Sequence, residues 1–285
     1  MEFNKIAVIG AGTMGMGIAW ALGAAGKKVV LYDIKQEIVD TTLARIAKGL
    51  AKAEEKGQAP AGAKDFITGN IAGTAVMEDL KDVDLVIETA VENMAIKKDI
   101  YGKLDAILAP EVIIATNTSS LSITEIAAIT KRADKVIGMH FFNPAMVMAL
   151  IEVIPALQTS QETIDAIMEL SKAIGKKPVL VKEGPGFVVN RILTPGMNEA
   201  AFILYEGLAS AEDIDKAMKL GAGWPMGPFT LADMVGLDIA SAVLNTLYTE
   251  TGDPKYRPAP IIKQLVRAGW LGRKTGRGFF DYSKK

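Results

Sequence analysis

Over roughly its first two thirds the chain alternates between short apolar runs and longer stretches whose apolar residues recur at helical spacing. KIAVI (5–9) is an apolar run stopped by glycine and reads as a buried parallel strand. In 13–25, Met14, Ile18, Ala21 and Leu22 fall on one helical face. KKVVLYD (27–33) predicts a second strand. The stretch from Lys35 to about Lys56 predicts a long helix, with Lys48, Lys52 and Lys56 sharing a face. QAPAGA reads as a loop. Further strands are predicted at 71–75, 84–90, 112–118 and 136–142, with helices from about Met94 to Leu108 and from Ser122. LIEVI (150–154) and KPVLV (177–181) are two more strands, flanking a helix near 161–174. Strands separated by helices imply right-handed crossovers and a mostly parallel sheet covered on both faces, an α/β, Rossmann-like arrangement.

At KEGPGFVVNR the pattern changes. Helical spacing dominates from there, over 187–207, 211–220, 230–249 and 260–268, and Pro195 is expected to kink or break the first of these helices. Two domains are therefore expected, 1–184 and an all-α 185–285.

The turn after the first strand is GAGTMG: Gly10, Gly12, Thr13, Met14 and Gly15. It follows a strand, opens a helix and lies in a βαβ unit, the context that gives G-x-G-x-x-G its meaning. Gly10 allows the tight turn, Gly12 lets a pyrophosphate approach the backbone, and Gly15 lets helix and strand pack closely. The helix N-terminus offers free N–H groups and the positive end of its dipole. Asp33, ending the second strand, suits an adenosine ribose and repels a 2′-phosphate, which favours NAD over NADP, although Lys35 nearby acts against that preference.

Composition narrows the chemistry. Of 285 residues, 49% are hydrophobic and 23% charged, the range of an ordinary globular protein. The net charge of -1 gives no reason to expect a nucleic-acid or membrane partner. With no cysteine and a single histidine, thiolate catalysis, disulfides and a multi-histidine metal site are excluded, and no metal is expected. The first residues, MEFNKIAVIGAG, read as a strand and not as a signal peptide, and no stretch approaches the ~18 apolar residues of a membrane span. A soluble, cytoplasmic protein is expected.

The single histidine, His140, ends the strand VIGMHFF and is followed by Asn143-Pro144. Strand ends are where open α/β sheets bind ligands, and another, at Asn117 to Ser120, carries NTSS. Glu152 in LIEVI is surrounded by aliphatics. Buried, it needs a partner, and the Nδ1–H of His140 is a natural one that leaves Nε2 free to take a proton. If LIEVI is instead an edge strand, Glu152 faces water; the residues leave these readings level. Ser122, with Glu125 three residues on, also reads as a helix capping box, and Asn190 as an ordinary helix residue.

Taken in order, IGAGTMG, YDI, ETAVENM, ATNTSSLSITEIA, IGMHFFNPA, GPGFVVNRIL, EDIDKAMKLG, PMGP, AGWLGRKTGRGFF and DYSK resemble the 3-hydroxyacyl-CoA dehydrogenases, most closely the short-chain 3-hydroxybutyryl-CoA dehydrogenases, over nearly the whole chain. The resemblance implies an NAD-binding domain at 1–184 and a helical substrate-binding and dimerisation domain at 185–285. It implies His140 as catalytic base paired with Glu152, and Ser119 and Asn190 as contacts to the reacting oxygen and thioester end. Glu92, Lys97, Asn143, Lys274 and Ser119 become cofactor contacts, and Lys48 and Lys52 candidates for the CoA nucleotide. It further implies a homodimer that interconverts (S)-3-hydroxybutyryl-CoA and acetoacetyl-CoA with NAD(H), in fatty-acid and butanoate metabolism. Two alternatives stay open: a non-enzymatic NAD-binding protein of the same fold, and a dehydrogenase of a free hydroxy acid. The chain departs from the family pattern at Met146 and Ala149 (usually proline and lysine), Pro155 (arginine), Trp224 (histidine), Met16 (serine) and Trp20 (glutamine). These changes bear on affinity for an anionic CoA ester and on packing beneath the cofactor.

Overall fold

The structure, a computed structural model, describes residues 2–283; Lys284, the last residue of the DYSK motif, lies outside them. Two compact units divide the chain, Met1–Glu183 and Gly184–Lys285.

The first unit is built on one eight-stranded sheet in the order β3-β2-β1-β4-β5-β6-β7-β8. Its strands are β1 (Lys5–Ile9), β2 (Lys28–Tyr32), β3 (Ile71–Thr74), β4 (Leu85–Glu88), β5 (Ile113–Thr116), β6 (Val136–Phe141), β7 (Leu150–Pro155) and β8 (Lys177–Leu180). All neighbours run parallel except β6 and β7. Every residue of β4, β5 and β6 is buried, which is why these strands read as continuous apolar runs and not as alternating ones. Helices α1 (Thr13–Ala24), α2 (Gln36–Glu55), α3 (Ala63–Thr68), α4 (Met94–Ile107), α5 (Ile123–Ala127) and α6 (Gln161–Ala173) make the crossovers. Ile6, Val8, Ile18, Leu22, Leu31, Ile46 and Leu50 belong to the core that joins α1 and α2 to the sheet. The short helix α3 was not evident in the sequence, where it is hidden behind the QAPAGA loop.

The second unit holds α7 (Val189–Tyr205), α8 (Ala211–Gly221), α9 (Pro228–Val235), α10 (Leu237–Thr251) and α11 (Pro260–Arg267). Phe229, Ala201, Leu244 and Ala259 form its centre. The expected helix at 230–249 is in fact two, because Gly236 sits at φ 106, outside helical geometry. By contrast α7 runs through Pro195 without a break. Among the described residues no single helix is long and apolar enough to cross a membrane; only the pair α9–α10, bent by 97°, has the length and composition together.

Candidate active site

Strand order reverses at β1 and β4, and the loops leaving their C-terminal ends face one another across the crevice where such sheets bind ligands. Gly10 has φ 95, and a Cβ there would stand 2.9 Å from the Thr89 carbonyl oxygen. A Cβ on Gly15 would lie 1.7 Å from Gly10 O, so α1 packs onto its own turn only with glycine there. At Gly12 a Cβ would meet nothing within 4 Å, and no side chain caps the first turn of α1. Open backbone, uncapped N–H groups and the absence of acidic residues in that turn make a cradle for a dinucleotide pyrophosphate. Thr13 is exposed and Met14 half-buried at its mouth. Asp33 steadies the turn, its Oδ2 accepting from Ala11 N–H at 2.8 Å and its Oδ1 from Ile34 N–H at 2.8 Å. Thr42 ties α2 to the same loop by donating to Ala11 O at 2.7 Å.

Opposite this turn, β4 ends in a buried ion pair. Lys97 Nζ donates to both oxygens of Glu88, at 2.7 and 2.8 Å, while Thr116 Oγ1 and Ala90 N–H donate to the same carboxylate at 2.9 and 2.6 Å. Lys97, expected at the cofactor, is only 1% exposed. A buried ammonium needs a counter-charge, and Glu88 supplies it; neither Lys97 nor Glu88, itself 0% exposed, presents a surface of its own. Burial, reinforced by the Glu88 charge, pushes the neighbouring Tyr101 phenol well above its ordinary pKa. Glu92 organises the next layer. Its Oε1 accepts from Thr118 Oγ1 (2.6 Å), Ser119 N–H (2.9 Å), Ser120 N–H (3.0 Å) and Ser120 Oγ (3.0 Å). The loop after β5 is thus fixed on one carboxylate oxygen, and Ser119 is aimed by it. Ser122 acts as half of a capping box, accepting from Glu125 N–H at 3.1 Å.

Two strands away, β7 pairs with β6 in antiparallel register that sets His140 directly opposite Glu152. Directly opposed residues project from the same face, and the ring Nδ1 lies 2.8 Å from Glu152 Oε2. Glu152 is 1% exposed on a strand flanked by β6 and β8, so the solvent-facing edge reading is excluded. With the Nδ1–H donated to the carboxylate, Nε2 presents a lone pair, and Ser119 Oγ lies 3.3 Å from it. The Phe142 ring packs on the imidazole at 4.6 Å between centroids. Asn117 Oδ1 accepts from Phe141 N–H at 2.8 Å, locking the end of β6 to the loop that carries Ser119. Ser119, His140 and Glu152 therefore form one connected set within the first unit.

Lys48 and Lys52 are exposed on α2, and Asn143 is exposed in the connection from β6 to β7. Asn190, in the first turn of α7, and Lys274 belong to the second unit, where Lys274 Nζ is bound to both oxygens of Asp238 at 2.6 and 2.7 Å. Three of the six departures are absorbed locally: the Trp20 ring stands 2.9 Å from where a Cβ on Gly49 would be, Trp224 lies against Gly196 of α7, and Met16 packs on the core. Glu88 and Asn117 were not picked out as site residues from the sequence. The signal for Glu88 was present, since DLVIE, like LIEVI, puts a carboxylate in an apolar run where it must find a partner.

Residues 5–184 match the 3-hydroxyacyl-CoA dehydrogenase NAD binding domain, and residues 186–282 the 3-hydroxyacyl-CoA dehydrogenase C-terminal domain. The chain is 54% identical over 280 residues to a 3-hydroxybutyryl-CoA dehydrogenase of Clostridioides difficile, covering 98% of this chain and 100% of that one. It is 43% identical over 286 residues to the human mitochondrial hydroxyacyl-coenzyme A dehydrogenase, covering 98% and 91%. The crystal structure of (S)-3-hydroxybutyryl-CoA dehydrogenase from Ralstonia eutropha superposes with a TM-score of 0.95 at 51% identity, covering 99% and 100%.

Proposed function

The chain belongs to the 3-hydroxyacyl-CoA dehydrogenase family, and on that premise we propose that it interconverts (S)-3-hydroxybutyryl-CoA and acetoacetyl-CoA with NAD(H), His140 moving the substrate proton. It is an oxidoreductase acting on a CH–OH group. The observation that carries the role of His140 is the cross-strand pair with Glu152, which leaves Nε2 beside the Ser119 hydroxyl.

NAD, when bound, accepts or returns hydride at its nicotinamide ring. The chain's own groups handle the proton and the positioning. In the oxidative direction Nε2 of His140 takes the proton of the C3 hydroxyl, and Glu152 stabilises the imidazolium that forms. In the reductive direction the imidazolium gives the proton back to the carbonyl oxygen. An imidazole whose ordinary pKa lies close to neutrality serves both directions. The Ser119 hydroxyl hydrogen-bonds the reacting oxygen, and for Asn190 the family pattern gives a contact to the acyl thioester. Gly10, Gly12, Thr13, Met14 and Gly15 would hold the pyrophosphate. Asp33 would hold the adenosine ribose and exclude a 2′-phosphate, favouring NAD over NADP. Glu92, Asn143 and Lys274 complete the cofactor set, with Lys97 bracing Glu88 at the end of β4 beneath it. Exposed Lys48 and Lys52 suit the CoA nucleotide phosphates.

The same reading gives a cytoplasmic homodimer of fatty-acid and butanoate metabolism. Exposed apolar side chains of the helical unit, Ile192, Leu208 and Leu220 among them, support the dimer. Sedimentation of the free protein at twice the chain mass is the expected result.

The deciding assay follows NADH loss with acetoacetyl-CoA and, separately, with free acetoacetate. Turnover confined to the CoA ester is expected. Turnover of the free acid alone would move the enzyme to another substrate class, and NADH binding without turnover of either would remove the catalytic role.

A further inference from the structure

The connection from β6 to β7, residues 142–149, carries Asn143 and is closed as a turn by the Val147 and Met148 N–H groups, both donating to Pro144 O at 2.9 Å. Two carbonyls of this turn face a buried ammonium. Lys176 Nζ donates to Ala145 O at 2.7 Å and to Met148 O at 2.9 Å. Lys176 lies between α6 and β8, with its own N–H on Ser171 O at 2.9 Å, while the next residue, Lys177, donates its N–H to Ala149 O at 2.7 Å. Only 9% of Lys176 is exposed, and among the described residues its ammonium makes no ion pair. Burial holds its pKa below the usual lysine range. A cation kept in the interior on carbonyl dipoles alone is costly, and an apolar side chain of the same length would fill the space without that cost.

What the ammonium holds explains its presence. The other side of the turn rests on α1, the helix that starts at the glycine-rich turn. Ala145 is buried, and a Cβ on Gly17 would lie 3.1 Å from its Cβ and 3.3 Å from its N. The turn is thus wedged between Gly17 of α1 and the ammonium of Lys176.

We propose that Lys176 is a positioning residue for the cofactor: by fixing the carbonyls of Ala145 and Met148 it seats the 143–148 turn against Gly17 and so holds Asn143 and α1 in one arrangement. Lys176 touches neither cofactor nor substrate; it acts through the backbone of the turn. The inference rests on the reading of Asn143 as a cofactor contact.

Lys176→Met removes both hydrogen bonds while keeping an unbranched side chain only one atom shorter. In the cofactor-free protein, exchange of the Val147 and Met148 amides should quicken about tenfold, the equilibrium value of one charge-assisted hydrogen bond, with the β6 amides unmoved. The NADH dissociation constant, read by fluorescence, should rise about tenfold, with KM for NADH following it and kcat changing less than about twofold. Lys176→Arg, whose guanidinium donates to the same carbonyls, should recover most of the affinity. An unchanged NADH dissociation constant in K176M overturns the proposal, as does faster exchange spread evenly over the sheet, or an arginine variant no better than the methionine one. Should K176M not fold, Lys176→Gln, with one amide donor, carries the same comparison. Asn143→Ala separates the premise from the inference. If N143A binds NADH as the parent does, the reading of Asn143 fails; if N143A weakens binding and K176M does not, the role of Lys176 fails.

Discussion

Glu88 and Glu152 are the same residue type in nearly the same surroundings, and they do different work. Each stands in a buried strand of one sheet and each has a basic partner within 2.8 Å. Glu88 is surrounded by donors: Lys97 on both oxygens, the Thr116 hydroxyl and the Ala90 N–H. With every donor spent on one carboxylate, the pair is a fixed strut joining β4, α4 and β5. Glu152 faces an imidazole, the one side chain whose unperturbed pKa lies in the physiological range, and the second ring nitrogen faces Ser119. Burial forces both carboxylates to find partners; whether the partner keeps a second nitrogen free to face a reacting group decides whether the result is a brace or a proton carrier.

The comparison breaks if His140 is only another brace. His140→Gln keeps the volume and removes the titrating nitrogen, and kcat should fall by about 10²–10⁴-fold with the NADH dissociation constant nearly unchanged. Stopped-flow turnover beside NADH fluorescence measures both; equal loss of the two would give His140 a structural role. At the other pair the large effect should be on folding. Lys97→Met strands the Glu88 charge, and urea unfolding should show a loss of about 3–5 kcal/mol. Adding Glu88→Gln should return most of that stability, because the stranded charge goes with it. A double variant no more stable than K97M would mean that the pair is not the strut described here.

The two carboxylates also differ in how well the sequence announced them. The glycine-rich turn was legible because its information is local: three glycines, a strand before and a helix after. The pair of His140 and Glu152 is set by strand direction, which no single segment carries, and the residues alone left Glu152 between an imidazole and water. One clue was available. Only residues 142–149 join β6 to β7, too few for a parallel crossover of a dozen residues or more; an antiparallel pairing follows, with Glu152 within reach of His140. Lys97 was read from motif resemblance as a cofactor contact, and its burial is set by Glu88, a residue on another element. The break at Gly236 was missed for a related reason: apolar spacing continues across it, and only the backbone angle shows that α9 and α10 are separate.

Glu152→Gln sharpens the comparison from the carboxylate side. The amide oxygen still accepts from Nδ1–H, so the ring keeps its orientation, but the imidazolium loses its counter-charge. Turnover should fall by about 10–100-fold, the cost of losing a partner that orients a histidine through its other ring nitrogen. The NADH dissociation constant should stay nearly unchanged, so that the loss falls on kcat and not on cofactor binding. A loss of NADH affinity equal to the loss of turnover would show that Glu152 only packs.

The smallest effect should come from a third carboxylate, Asp105, which is bound to the Arg132 guanidinium at 2.8 Å and to Lys131 N–H at 3.0 Å on the far end of α4. Partial burial pushes its pKa up, but the hydrogen bonds and charges of Lys131 and Arg132 outweigh that and hold it below the ordinary aspartate value. A carboxylate with a depressed folded pKa stabilises the fold above its unfolded pKa of about 3.9, and that contribution fades as pH falls toward the folded value. The melting temperature of Asp105→Asn should therefore lie slightly below the parent's at pH 7, and the gap should narrow as pH falls below about 4. Glu88, shielded from solvent and gripped by an ammonium, and Asp105, near the surface on a guanidinium, would then be the strong and weak forms of one device. His140 with Glu152 differs from both because the ring's second nitrogen faces the Ser119 hydroxyl and is left to handle a proton. A gap for Asp105→Asn that widens toward acid would reverse the sign of this account and leave Asp105 as a carboxylate the fold merely tolerates.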